Sequence, residues 1–279
     1  MLIVTSDPST ISTYKLPLTS NSQVLQKLKF TGSGPVSSRQ TAAHPHSAIT
    51  GPKGDYLVVP DLGSDLIRIF SINKSTGALT ACPAAKAGAG DGPRHAAWWS
   101  PSGSSSTNGL MLYTVNELSN TVSAWTTSYP SGGCLTLTKT QTLSTYAQGK
   151  APQNSSTNPS NPAKAAEVHV AGYFLYAANR NDQSFGSQKD SLATFSINPT
   201  TGALTYVENT NAHAWYPRTF AVNKAGDLVA VGGQTTSNVA IIARNTTTGR
   251  LGNLLANLQV ASLGQGGAEN GLSAVVWDE

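Results

Sequence analysis

The sequence predicts an all-β chain, a β-propeller of four-stranded antiparallel blades. Composition, an internal repeat and a recurring turn carry that expectation. Only 11% of the 279 residues are charged, while Gly (26) and Pro (15) are plentiful. Such a mix suits short strands joined by turns better than helices, which favour Ala, Leu, Glu, Lys and Arg. The repeat is a short apolar strand, a polar loop, a second strand, a Gly turn and a third strand. Its turn glycines Gly77, Gly133, Gly202 and Gly249 are spaced by 56, 69 and 47 residues, the step of a blade carrying loop insertions.

Full copies begin at Tyr56 (YLVVPDLGSDLIRIF), Met111 (MLYTVNELSNTVSAW), Phe174 (FLYAANRNDQSFG) and Leu228 (LVAVGGQTTSNVAII), with a weaker copy at Met1. A further strand precedes each full copy: SAITG, HAAWW, EVHVAG and TFAVN. Each blade therefore reads as strands a to d joined by Gly and Asn turns. Hydrophobic alternation is imperfect because inner strands are covered on both faces. The closing GLSAVVWDE reads as a lone strand a that completes the first blade, removing an open edge. Five blades are countable in a single domain, 1–279: about 1–30 with 271–279, 44–85, 93–146, 164–212 and 216–262. The Pro, Asn and Ser-rich stretch 147–162 reads as a surface insertion.

Several function classes lose support at once. Net charge is only +4 and no Lys/Arg block occurs, so nucleic acid is not an expected partner. No run of about 18 apolar residues exists, so a membrane span is not expected either. Cys82 and Cys134 are too few for a disulfide scaffold or a zinc site. Two separate thiols is the favoured reading and a single disulfide in a secreted chain the alternative. Glycosylation triplets at Asn73, Asn154 and Asn245 lean the compartment toward secreted over cytoplasmic, though the start of the chain carries no signal-peptide pattern.

Scarce charges concentrate at two blade positions. In an antiparallel meander the d-to-a connection and the b-to-c loop emerge on one face. The former carry His44, His46, Arg94, His95, Glu167 and Arg218; the latter carry Asp61, Asn116, Glu117, Asn179, Arg180, Asp182 and Gln234. His44, His95, Asn116, Glu167, Asn179 and Arg218 are the candidate substrate-binding residues. Each has a plainer reading: Arg218 bracing a loop, His44 capping a Pro turn, Arg180 pairing with Asp182, Asp61 as a turn acceptor. Glu117 is the exception, since a lone carboxylate in an inner loop near arginines is costly unless solvated or used.

With HPH at His44, GPRH at Gly92, NEL at Asn116 and NRN at Asn179 in successive blades, the sequence resembles the seven-bladed propeller lactonases. That family includes fungal 3-carboxy-cis,cis-muconate lactonizing enzymes and 6-phosphogluconolactonases. The resemblance runs over essentially the whole chain, and the countable blades are about two fewer than the family's seven. It implies catalytic roles for His46, Arg94, Glu117 and Arg180. Arg94 and Arg180 would clamp substrate carboxylates and stabilise developing oxyanion charge, with Glu117 and His46 as the acid/base pair. The leading expectation is a metal-independent lactonase or lactonizing cycloisomerase acting on a small anionic substrate, 3-carboxymuconate cyclase-like, with no cofactor. A 6-phosphogluconolactonase, with Arg218 and Lys189 as phosphate donors, is the first alternative. A calcium-dependent lactonase using Glu117, Asn116, Asn179 and Asp61 is another. A non-catalytic binding propeller or degenerate homologue is the third.

Overall fold

The computed structural model describes residues 2–7, 9–131, 133–148, 150, 162–265 and 270–279, the first of these segments by its backbone alone. All regular structure among them is β. A three-stranded sheet comes first: β1 (Leu2–Asp7), β2 (Thr10–Lys15) and β3 (Val24–Lys29). Four four-stranded antiparallel sheets follow. They are β4 (Ile49–Thr50), β5 (Tyr56–Asp61), β6 (Leu66–Ile72), β7 (Leu79–Lys86); then β8 (Pro93–Trp99), β9 (Met111–Asn116), β10 (Thr121–Ser128), β11 (Thr136–Ser144). Next are β12 (Lys164–Ala171), β13 (Phe174–Arg180), β14 (Ser191–Ile197), β15 (Leu204–Asn211), and finally β16 (Pro217–Val222), β17 (Leu228–Gly233), β18 (Asn238–Arg244), β19 (Leu251–Gln259). Every sheet pairs neighbours in chain order, the meander of a propeller blade.

The chain groups into two compact units. The first comprises Met1–Ser119 with Ser123–Gln141, the second Asn120–Val122 with Thr142–Glu279. In the first, Ile11, Leu57, Val59, Phe70 and Leu79 form one core cluster, and Tyr56, Val58, Ile67, Ile69, Leu112 and Trp125 contribute to another. In the second, Tyr176, Leu192, Phe220, Val229, Val231 and Ile242 belong to a single cluster. Burying each large apolar side chain contributes roughly 1.5–3 kcal/mol. All six residues of β5 and of β9 are buried, which is why these strands do not alternate apolar and polar.

Turn chemistry recurs with the repeat. Asn73 Oδ1 accepts the amides of Ser75 and Thr76 at 3.0 and 3.1 Å, while Gly77 N–H returns to the Asn73 carbonyl at 2.7 Å. Asn198–Gly202 and Asn245–Gly249 repeat that pattern. The closing glycines sit at φ +77°, +70° and +70°, where a side chain would be strained. Triplet residues Asn73 and Asn245 are thus exposed turn residues; Asn154 and most of the 147–162 insertion lie outside the described residues.

Two expectations are corrected. Cys82 on β7 and Cys134 in the β10–β11 loop are bonded, with Cα atoms 5.6 Å apart, so the paired alternative holds over separate thiols. They lie fifty-two residues apart in the chain, in successive sheets. The final segment, 271–279, is not a strand added to the first sheet. It lies instead against the last one: Trp277 Nε1 donates to the Ala221 carbonyl of β16 at 2.9 Å, and Leu272 and Val275 lie over Gly232 of β17. Leu272, Val275 and Trp277 are half-buried there, while Val276 stays 83% exposed.

Candidate functional site

All four inner strands are irregular at their first residues. Between Pro93 and His95, β8 advances two residues while β9 advances one, from Asn116 to Val115, so Arg94 is the extra residue. The same one-residue bulge places Arg218 between Pro217 and Thr219 on β16, and falls between Ala165 and Val168 on β12, where Glu167 sits. Ahead of β4, the Pro45–Asp61 bridge and the Ile49–Val58 pair differ in register by one residue, across the segment holding His46. A bulge re-aims the side chain it carries and interrupts the ladder, a recurrent device beside functional sites. Arg94, Glu167 and Arg218, and the segment holding His46, thus lie at these irregularities, two in each unit.

In the first unit Arg94 meets Glu117, which follows the end of β9. Arg94, 1% exposed, donates from Nε to Glu117 Oε2 at 3.0 Å. Arg39 donates from Nε to Glu117 Oε1 at 3.1 Å and sets Nη1 2.9 Å from His44 Nδ1. The His46 ring lies 5.7 Å from that of His44 and 5.0 Å from that of His95. Two guanidiniums thus meet one carboxylate beside three imidazoles, a cluster with cationic surplus. Burial, then the charge of Arg39, holds His44 below its usual pKa, with Arg94 adding to this and Glu117 and Asp61 opposing it. His44 is the neutral form at physiological pH.

The scaffold beneath is made of buried carboxylates. Asp61 Oδ1 accepts His44 N–H at 2.7 Å and Gly63 N–H at 3.1 Å, and Oδ2 pairs with Arg68 at 2.7 Å. His46 N–H reaches the Pro60 carbonyl and Leu62 N–H the His44 carbonyl, so the HPH segment runs alongside the end of β5. A Cβ at Gly63 would stand 1.9 Å from the Ala42 carbonyl oxygen, so only glycine admits this approach. Asp65, in the left-handed region at φ +52°, accepts Gly90 and Gly92 N–H and Gln40 Nε2 at 2.7–2.8 Å. This fastens the loop that delivers Arg94. Glu117 N–H bonds the Gly92 carbonyl at 2.8 Å, bringing acid and base elements together.

This donor set does not suit a calcium ion. Asp61 and Glu117 each give both oxygens to guanidiniums or amides, and Asn116 is tied to Ser123 Oγ at 3.0 Å. A cation there would face Arg39 and Arg94 directly.

The second unit holds the remaining sequence candidates in a different environment. Arg180, 1% exposed, ends β13 with Nη2 3.5 Å from the Ala165 carbonyl. Asn179 Nδ2 donates to Ser191 Oγ at 3.0 Å, and Glu167 Oε1 accepts Val168 N–H at 3.1 Å. The ring of His169, two residues along β12 from Glu167, lies 5.0 Å from that of Phe220 at an inclination of 51°, and its pKa is lowered by burial, with Glu167 opposing. The loop after Arg180 is closed by Asp182 and Asp190, both fully buried. Asp182 accepts Ser184 Oγ at 2.6 Å together with Ser191 Oγ and N–H; Asp190 accepts the amides of Asn181, Gln183 and Tyr216 at 2.7–2.9 Å. Burial raises Asp182, and burial with the Asp182 charge pushes Asp190 up to about 7.

Sequence reasoning missed Arg39, Asp65 and Asp190. Each lies outside the aligned blade positions or reads as an ordinary turn residue.

Comparisons with known proteins bear on this geometry. A family model described as "Lactonase, 7-bladed beta-propeller" matches residues 6–265. The chain is 33% identical over 236 residues to a 6-phosphogluconolactonase of Formosa agariphila, covering 83% of this chain and 59% of that protein. It is 29% identical over 223 residues to the 6-phosphogluconolactonase of Bacillus subtilis, covering 79% and 56%. Among solved structures, the periplasmic gluconolactonase of Pseudomonas aeruginosa superposes with TM-score 0.73 at 25% identity, covering 95% of this chain and 68% of that one. The chain spans less than two thirds of the length of those curated relatives. The repeated blades, the bulged charged residues and these matches together place the chain in the seven-bladed β-propeller lactonase family.

Proposed function

We propose that the protein hydrolyses a small anionic lactone of the 6-phosphogluconolactone class, without a metal ion. The observation that carries this reading is the Arg39–Glu117–Arg94 cluster beside His44, His46 and His95, where two guanidiniums face one carboxylate. An anionic group on the substrate would be drawn to Arg94. Arg180 and Arg218, in the second unit, keep the anion-binding role expected of them from the sequence. Water adds to the lactone carbonyl, its proton passing to a histidine. The ring C–O bond then breaks, and the alkoxide takes a proton back. Guanidiniums stabilise the oxyanion between these steps. His46 is the assigned proton carrier and Glu117 the anchor that holds both arginines. Names borne by the relatives favour lactone hydrolysis over the 3-carboxymuconate cyclisation that the sequence put first.

The Cys82–Cys134 disulfide supports an oxidising compartment, in line with the secreted leaning and with the periplasmic relative. The deciding experiment compares hydrolysis of 6-phosphogluconolactone, unphosphorylated gluconolactone and cyclisation of 3-carboxymuconate, with and without chelator, for the wild type and Arg94→Ala. Preference for the phosphorylated lactone that survives chelator and falls at least tenfold in the variant supports the reading. Turnover of carboxymuconate alone, or loss on chelation, overturns it.

A further inference from the structure

We propose that Arg39 is a positioning residue that fixes His44 as the neutral tautomer carrying its proton on Nε2, making His44 a hydrogen-bond donor to the substrate rather than a base. The inference rests on the hydrolytic reading above and deepens it. Arg39 Nη1 stands 2.9 Å from His44 Nδ1. A guanidinium has only donors and keeps its proton, so the ring nitrogen facing it has to be the acceptor. With Nδ1 accepting, the neutral ring's single proton resides on Nε2.

The same side chain reaches Glu117 through Nε at 3.1 Å, and Glu117 holds Arg94 at 3.0 Å. Arg39 is therefore oriented by the carboxylate that also orients the proposed anion clamp. His44 is fixed from its other side as well, its backbone N–H bound by Asp61 Oδ1 at 2.7 Å. The groups facing the ring are Arg39 and Arg94, which oppose a second positive charge, Glu117 and Asp61, which favour one, and His46 at 5.7 Å. Burial is the larger cause that lowers the ring, and the arginines add to it. A neutral Nε2–H is suited to polarising a lactone carbonyl as negative charge grows on its oxygen, because the donor needs no proton from solvent. This assigns electrophilic assistance to His44 and leaves proton acceptance to a neighbouring imidazole.

The test reads the tautomer directly, by nitrogen-15 correlation NMR of histidine-labelled protein from about pH 5 to about pH 8. His44→Gln assigns its signals, and Arg39→Met and Arg39→Lys are the variants. The expected wild-type spectrum shows Nδ1 as an unprotonated acceptor and Nε2 protonated across most of that range. In Arg39→Met the tautomers mix, the His44 titration moves up toward that of a free histidine, and kcat falls on the order of tenfold with little change in KM. Arg39→Lys, which restores a donor, recovers part of both. A wild-type His44 protonated on Nδ1, or an unchanged tautomer in a folded Arg39→Met, overturns the inference. Because the NMR readout needs no turnover, a fixed tautomer in a protein that hydrolyses no lactone would sink the functional reading and leave the Arg39–His44 coupling standing.

Discussion

Two sets of buried carboxylates, Glu117 in the first unit and the Asp182–Asp190 pair in the second, are satisfied by opposite means. In the first, Glu117 is satisfied by two arginine side chains; in the second, Asp190 is satisfied by three backbone amides and Asp182 by two serines. Guanidiniums carry charge of their own, so the Glu117 cluster keeps a surplus that an anion can use. Backbone amides carry none, and the Asp182–Asp190 pair is left with negative charge that burial resists. One arrangement suits a binding site; the other shapes a loop. Tyr216 sits at φ +58°, a costly conformation for a bulky residue, and its amide is held there by Asp190.

Breaking the first arrangement should have the largest consequence. Glu117→Ala leaves two guanidiniums facing each other in a buried site, and a loss of about 3–5 kcal/mol is expected in denaturant titration, together with loss of turnover. A variant as stable as the wild type would show that the cluster is not a paired unit. Next comes the disulfide confined to the first unit. Cys82→Ser with Cys134→Ser, or reduction, should cost about 2–4 kcal/mol. The midpoint for unfolding should fall for the first unit before the second.

The pH dependence separates the units most cleanly. Asp190 has a folded pKa above its unfolded value, so its contribution is complete below about pH 4, the unfolded value, and is lost as pH rises through about 7. His44 is lowered in the folded state, so its contribution is complete above the usual histidine pKa and declines as pH falls below it. Asp190→Asn should remove the alkaline loss while costing about 1–3 kcal/mol, because one amide oxygen cannot serve three N–H donors. A melting profile whose alkaline limb is unchanged in Asp190→Asn would contradict this assignment. The smallest effect is expected from Arg218→Ala, half-buried in the β16 bulge: stability within about 0.5 kcal/mol and a several-fold rise in KM for the phosphorylated lactone only.

Blade order, four of the strand-a positions and the gathering of scarce charges at strand entrances and polar loops were legible in the sequence. Period, turn glycines and polar loops are local signals that survive into any packing. Less legible was the destination of GLSAVVWDE: an apolar strand pattern states that a segment wants cover but not which sheet supplies it. Pairing of Cys82 with Cys134 was equally open, since 52 residues of separation say nothing of a 5.6 Å approach.

The sequence by itself determined an all-β repeat with scarce charges gathered at strand entrances, because hydrophobic period and turn chemistry act over a few residues. Only the tertiary structure decided what those charges do to one another. A one-residue bulge turns Arg94 into the unit's interior, and Arg39, from a stretch outside any blade, reaches Glu117 across 78 residues of chain to set the proton on His44. Side-chain electrostatics depend on distances of a few ångströms, and those are fixed by packing, not by spacing along the chain.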